Sequence, residues 1–198
     1  MLNIPEDFKY TKSQIALLNS ACELFYKYGI RKVSIEDICT NADLSKMTFY
    51  RAFKDKKDIV SNLFRVISED AYQKYLLLSN EGLDFKTYLY RTIQLKKEFI
   101  EDISSEFMSE LLAMGNDEIT ELSAGYSEKT MALFMSDLER AKRNGEVKTD
   151  LKPEFVLYMI QDINNKAHEP YLLSLFKSPQ DLTYALLEQF FYGIIVNE

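Results

Sequence analysis

Lys46, Tyr50, Arg51, Lys54, Lys56 and Lys57 fall within a dozen residues, interleaved with Phe49 and Phe53. Ammonium and guanidinium groups at this density can bond phosphates and guanine edges. They are not the acid and base pairs of a catalytic site. Ser34, Ser45 and Asp55 punctuate the same stretch, and each can accept a hydrogen bond from the free N–H groups at a helix start. Such closely spaced caps imply two very short helices and the start of a third. A two-turn helix does not hold together alone in water, so these two must be packed on each other and on something else. Short helix, tight turn, short helix is the arrangement that places its second helix in the DNA major groove. A lone basic run reads equally well as a solvated helix end; the caps and the interleaved aromatics favour nucleic acid.

The charge balance points the same way. The chain of 198 residues has a net charge of −7, yet its first sixty residues carry ten Lys and Arg against eight Asp and Glu. A slightly basic head on an acidic remainder suits a protein that meets phosphates with one end only. Hydrophobic residues make up 46%, with 4 Pro, 6 Gly and no low-complexity tract, so a folded chain with a real core is expected. The first residues lack a basic and then apolar leader, and Phe190 to Val196 is too short an apolar run to span a bilayer. Cys22 and Cys39 read as reduced core thiols. Together these features suggest a cytoplasmic protein.

The elements that must position the basic face are all helical. Thr11 to Gln14 forms a capping box, followed by Ile15, Leu18, Cys22 and Phe25 at helical spacing, and Gly29 ends that helix. Ile35 and Ile38 belong to the second helix, and Leu44, Phe49 and Phe53 to the third. These should converge with Ala21 and Phe25 into a small core. A connecting helix is expected over about residues 56–78, before the break at Ser79–Gly82. Beyond it, helices are expected from Asp84 to about Asp102, Ser104 to Met114, and Asn116 or Asp117 to Arg143. Two more begin at Pro153 and Pro179 and run to about Ala167 and Val196, with a short turn over Tyr171–Phe176 between them. No alternating β pattern or fixed-period repeat is present, so the fold class is all-α.

At these residues the chain resembles the TetR family of bacterial transcriptional regulators. Ile15, Ala21, Leu24-Phe25, Gly29, Ser34-Ile35 and Ile38-Cys39 fit the family's N-terminal pattern. Leu44-Ser45-Lys46-Met47-Thr48-Phe49-Tyr50, Phe53 and Lys56 continue it, over roughly residues 11–60 without a gap. Two departures stand out: Asp43 replaces the usual turn Gly, and Met47 replaces a frequent Gly. The resemblance implies a helix-turn-helix DNA-binding domain over residues 1–55, and a helical effector-binding and dimerisation domain over 56–198. Ser34 would cap its helix and meet a phosphate. Ser45, Lys46 and Met47 would face base edges, Lys46 a guanine and Met47 a thymine methyl. Thr48, Tyr50 and Lys56 match backbone-contacting positions of the family, with Arg51 and Lys54 as further contacts and Lys12 a weaker one. Glu36 lies on the same side, where it would accept from a cytosine amino group or merely reduce affinity.

The second domain would sense a small molecule. Phe107, Tyr126, Phe134 and Met159 are candidate pocket residues among many aromatic and Met residues, which equally suit plain core. The helices around Phe155–Ile163 and Leu182–Ile195 are apolar on more than one side and so need cover nearly all round. The resemblance implies that a second copy supplies it, with Phe155, Met159, Leu187, Phe191 and Ile194 at the dimer interface. The resulting expectation is a ligand-responsive repressor, a homodimer released from palindromic double-stranded DNA by a small molecule, without a cofactor. An activator, or a helical interaction module with a degenerate head, is the alternative. Enzymatic chemistry is not expected. His168 is the only histidine, Glu98, Glu101 and Asp102 read as a solvated face, and no phosphate-binding or nucleophile motif occurs.

Overall fold

The computed structural model describes residues 2–5, 8–101, 105–166 and 169–194, and among these every regular element is a helix. They are α1 (Lys12–Tyr28), α2 (Ile35–Asn41), α3 (Lys46–Ala52), α4 (Lys56–Ser79), α5 (Phe85–Glu101), α6 (Ser105–Ala113), α7 (Asp117–Arg143), α8 (Pro153–Lys166), α9 (Pro170–Leu173) and α10 (Pro179–Ile194). The expected ends at Asp102, Ser104, Ala167 and Val196, together with His168, lie outside the described residues. Among the described residues, no helix is long and apolar enough to cross a membrane.

Side chains set the helix starts. Thr11 accepts from Gln14 N while Gln14 accepts from Thr11 N, closing the box that opens α1. Asp84 does the same service for α5, its Oδ1 accepting from Thr87 N at 2.9 Å and its Oδ2 from the Thr87 hydroxyl at 2.7 Å. Gly29 ends α1 at a φ of 80°, where a Cβ would also sit 2.9 Å from Glu110 Oε2.

The chain gathers into two packing units, residues 1–74 with 101–130, and residues 75–100 with 131–198. In the first, Leu17, Leu18, Ala21, Phe25, Ile38, Phe49 and Phe53 are buried with Ile59, Val60 and Leu63. The convergence expected of the first three helices is therefore present, with α4 added to it. Phe107 of α6 also joins this unit, its ring 6.5 Å from Phe25 and 5.1 Å from Tyr26. In the second unit Phe85, Tyr88, Leu89, Leu138, Val156, Ile163, Leu187, Phe191 and Ile194 form the core. Asp137 is buried there as well, accepting from the Ser79 hydroxyl at 2.8 Å and paired with Arg140 at 2.8 Å.

Candidate nucleic-acid interface

The two short helices owe their existence to packing and to their first turns. Ser34 opens α2: its hydroxyl oxygen accepts from Asp37 N at 3.1 Å, and Asp37 Oδ2 accepts from Ser34 N at 2.8 Å. The Ser34 hydroxyl also donates to Asp37 Oδ2 at 2.7 Å, and this bond, with the one from Ser34 N, holds the Asp37 carboxyl below the usual aspartate range. On the inner side the buried Ser20 hydroxyl of α1 donates to the Ile38 carbonyl at 2.8 Å, and Asn41 donates to Ser20 at 3.2 Å. Ser45 opens α3, accepting from Thr48 N at 3.1 Å, with the two hydroxyls 3.0 Å apart.

Between them the chain reverses through Asp43 at a φ of 53°. The backbone bonds Ala42 N to Ile38 O at 3.0 Å and Leu44 N to Cys39 O at 2.9 Å close the turn. Asp tolerates this left-handed geometry better than most side chains, so the departure from glycine leaves the turn intact.

The third helix is two-sided. Phe49 and the following Phe53 are buried, their rings 6.0 Å apart, and Tyr50 leans edge-on to Phe49 at 5.5 Å. Lys46, Met47, Tyr50 and Arg51, with Lys54 just beyond, are exposed, Met47 at 72% and Tyr50 at 59%. A methionine and a tyrosine left so open on a helix pinned by its opposite face are positioned for a partner rather than for the core. Ser34 and Ser45 are exposed beside them, while Thr48 and Lys56 are half-buried.

Lys46 Nζ donates to Glu36 Oε2 of α2 at 2.7 Å. Asp55 caps α4 by accepting from Asp58 N at 2.9 Å, and Asp58 Oδ2 accepts from Lys54 N at 2.7 Å. Lys56, in the first turn of α4, donates to the Arg31 carbonyl at 3.4 Å. Burial lowers its ammonium below the usual lysine value, and the carboxylates of Glu110 and Asp37 partly offset this. Glu110, on α6, also accepts from Arg31 N at 2.8 Å. Nothing in the local pattern of either segment signals that clasp, which joins residues far apart in sequence.

The remaining candidates divide between the units. Phe107 and Tyr126 belong to the first: Phe107 is buried against α1, and Tyr126 donates to Glu69 at 2.8 Å beneath Lys129, whose Nζ stands 5.0 Å from the ring. Phe134 and Met159 belong to the second, half-buried, with Phe134 packed on Phe85 and Phe191. Leu187, Phe191 and Ile194 close the second unit's own core. Phe155 is 52% exposed, and Leu157, Tyr158 and Tyr192 on the same two helices are exposed too. Among the described residues no group of His, Cys, Asp and Glu could hold a metal ion.

Comparison with known proteins adds sequence and fold relatives. Residues 17–63 match the family of bacterial regulatory proteins, tetR family. The HTH-type transcriptional repressor KstR2 of Rhodococcus jostii is 26% identical over 154 residues, 74% of this chain and 73% of that protein. The transposon Tn10 TetC protein of Escherichia coli is 41% identical over 69 residues, 34% of each chain. A Saccharomonospora viridis protein solved in complex with choline has the same fold, with a TM-score of 0.74 at 16% identity, over 95% of this chain and 100% of that one.

Proposed function

By its N-terminal helix-turn-helix the chain belongs to the TetR family of bacterial transcriptional regulators, and on that premise we propose how it works. It is a cytoplasmic homodimer that represses transcription from a palindromic operator and is released by a small molecule. The observation that carries this reading is α3: anchored by Phe49 and Phe53, it holds Lys46, Met47, Tyr50 and Arg51 open on its other side.

The head comprises residues 1–55, and the sensor and dimer domain residues 56–198. Lys46 reads a guanine and Met47 packs on a thymine methyl. Thr48, Tyr50, Arg51 and Lys54 bond the sugar-phosphate backbone. Ser34 and Lys56 bring the first turns of α2 and α4 to phosphates, where helix N-termini favour negative charge. A single head would bind weakly, because one short helix reaches only a few bases. Two heads on a dimer read half-sites one helical turn or a multiple apart.

Phe155, Tyr158 and Tyr192 supply apolar surface on α8 and α10 that a second copy would cover. The effector acts only in so far as it binds the DNA-released state more tightly than the DNA-bound one. Of the candidate pocket residues, Phe134 and Met159 of the second unit are the side chains proposed to respond to it.

The test is duplex affinity of the wild type against the Lys46/Tyr50/Lys56 triple alanine variant across a salt series. The triple variant should lose specific binding and show a shallower dependence of affinity on salt, by about one unit for each phosphate it no longer neutralises. Equal affinity and slope would overturn the assignment.

A further inference from the structure

One carboxylate on the DNA-facing side pairs directly with a lysine of α3. Glu36, in the first turn of α2, meets Lys46, the first residue of α3, with 2.7 Å between Oε2 and Nζ. Their side chains are 69% and 56% exposed, open to any duplex that α3 approaches. An ion pair this open does little for stability, and a carboxylate facing phosphates opposes binding. Its consequence has to be sought in recognition.

The donor and acceptor count is specific. An ammonium has three N–H donors. Glu36 takes one, leaving two, the number that guanine accepts at O6 and N7. The carboxylate retains Oε1 as an acceptor, and cytosine N4 is a donor. Within a G·C pair, O6 and N4 are themselves hydrogen-bonded and so lie about 2.9 Å apart, close to the spacing of Nζ and Oε2. A T·A pair presents the same order of acceptor and donor. It offers Lys46 one acceptor instead of two, however, with a methyl group in place of guanine N7. A reversed C·G pair sets donor against donor.

We propose that Glu36 and Lys46 act as one unit that reads both edges of a single G·C base pair in each half-site, Lys46 the guanine and Glu36 the cytosine. The proposal rests on the DNA-binding reading above and adds to it a specificity residue on the helix that precedes the recognition helix. The ion pair holds Lys46 in place before DNA arrives, so the two side chains meet the base pair already oriented. The same pairing holds the ammonium charged, above the usual lysine range.

The experiment selects duplexes from a random library with the wild-type chain. Affinities are then measured for the selected operator and for versions changed at each base pair, with wild type, Glu36→Ala, Lys46→Ala and the double variant. Thermal melting checks that the exposed substitutions leave the fold intact. Each single variant should relax the preference at the same G·C position by about fivefold or more. The double variant should relax it no further than the stronger single one, since the two residues are coupled. If Glu36→Ala tightens every duplex alike and leaves that preference unchanged, Glu36 merely repels phosphates and the proposal falls. Relaxation by the two variants at different positions also overturns it. A wild-type chain that enriches no sequence removes the DNA-binding reading itself, and this proposal with it.

Discussion

Replacing Phe107 with alanine separates two roles that its type and spacing leave open. Phe107 is 2% exposed, with its ring 6.5 Å from Phe25 and 5.1 Å from Tyr26. Truncating a buried Phe typically costs about 3–5 kcal/mol, from lost transfer energy and the cavity left behind. The upper half of that range applies here, because the aromatic pairs with α1 contribute about 0.5–1.5 kcal/mol beyond buried area. Helix α6 has nine residues and cannot persist undocked. Glu110 of the same helix accepts from Arg31 N and pairs with Arg31 Nε at 4.0 Å, both at the exposed Arg31, whereas Phe107 and Leu111 are its buried side chains among the described residues. Against a total stability of about 5–15 kcal/mol the loss would be large. Urea unfolding followed by circular dichroism should show a fall of about 4 kcal/mol, and Phe107→Leu a smaller one. A loss below about 1 kcal/mol would refute the packing argument and return Phe107 to the effector site.

Three further outcomes are expected. Phe155→Asp, at an exposed position in the first turn of α8 where a carboxylate suits the helix dipole, should leave the helical circular-dichroism signal unchanged while the melting temperature falls by what dimerisation contributes. It should shift the light-scattering mass from dimer to monomer, and an unchanged dimer would exclude this face. Burial raises the Cys22 thiol to about 11 and pushes Cys39 up as well, so neither should react quickly with a disulfide reagent at about pH 8 until urea is added; rapid labelling of the native chain would contradict this. Asp37 and Asp84 are held below the usual 3.8 by their bonds from Ser34 and Thr87. Both bind protons less readily folded than unfolded, so their contribution is complete above that value and lost as pH falls through their lower folded values. The urea midpoint should drop between about pH 5 and about pH 2, less steeply in Asp37→Asn, and an identical slope in both would contradict the assignment.

What the sequence made legible was local. Ser34, Ser45 and Thr11 each signal a helix start within four residues, and each caps the helix it was read to cap. Phe49 and Phe53 could be assigned to the core because helical spacing puts them opposite the charged positions. The tolerance of Asp43 for a left-handed backbone likewise follows from its own side chain. What stayed hidden joins distant segments. Nothing near Glu110 indicates that its carboxylate serves Arg31 N, nor anything near Phe107 that its ring lies on α1. On α10, composition showed an excess of apolar side chains without showing which ones the chain itself covers. Leu187, Phe191 and Ile194 turn inward in the second unit, whereas Tyr192 stays exposed. Side-chain pattern gives the number of apolar faces, and only the packed helices give their partners.

The most direct test of the central claim is the stoichiometry and symmetry of the complex on selected DNA. Wild-type chain and a random duplex library, taken through repeated selection, should yield an inverted repeat. Its half-site centres should lie one helical turn apart, about 34–36 Å, or a multiple of that, with two chains bound per duplex by light scattering. Enrichment of no sequence, or tight binding of one chain to a site without two-fold symmetry, would contradict the account.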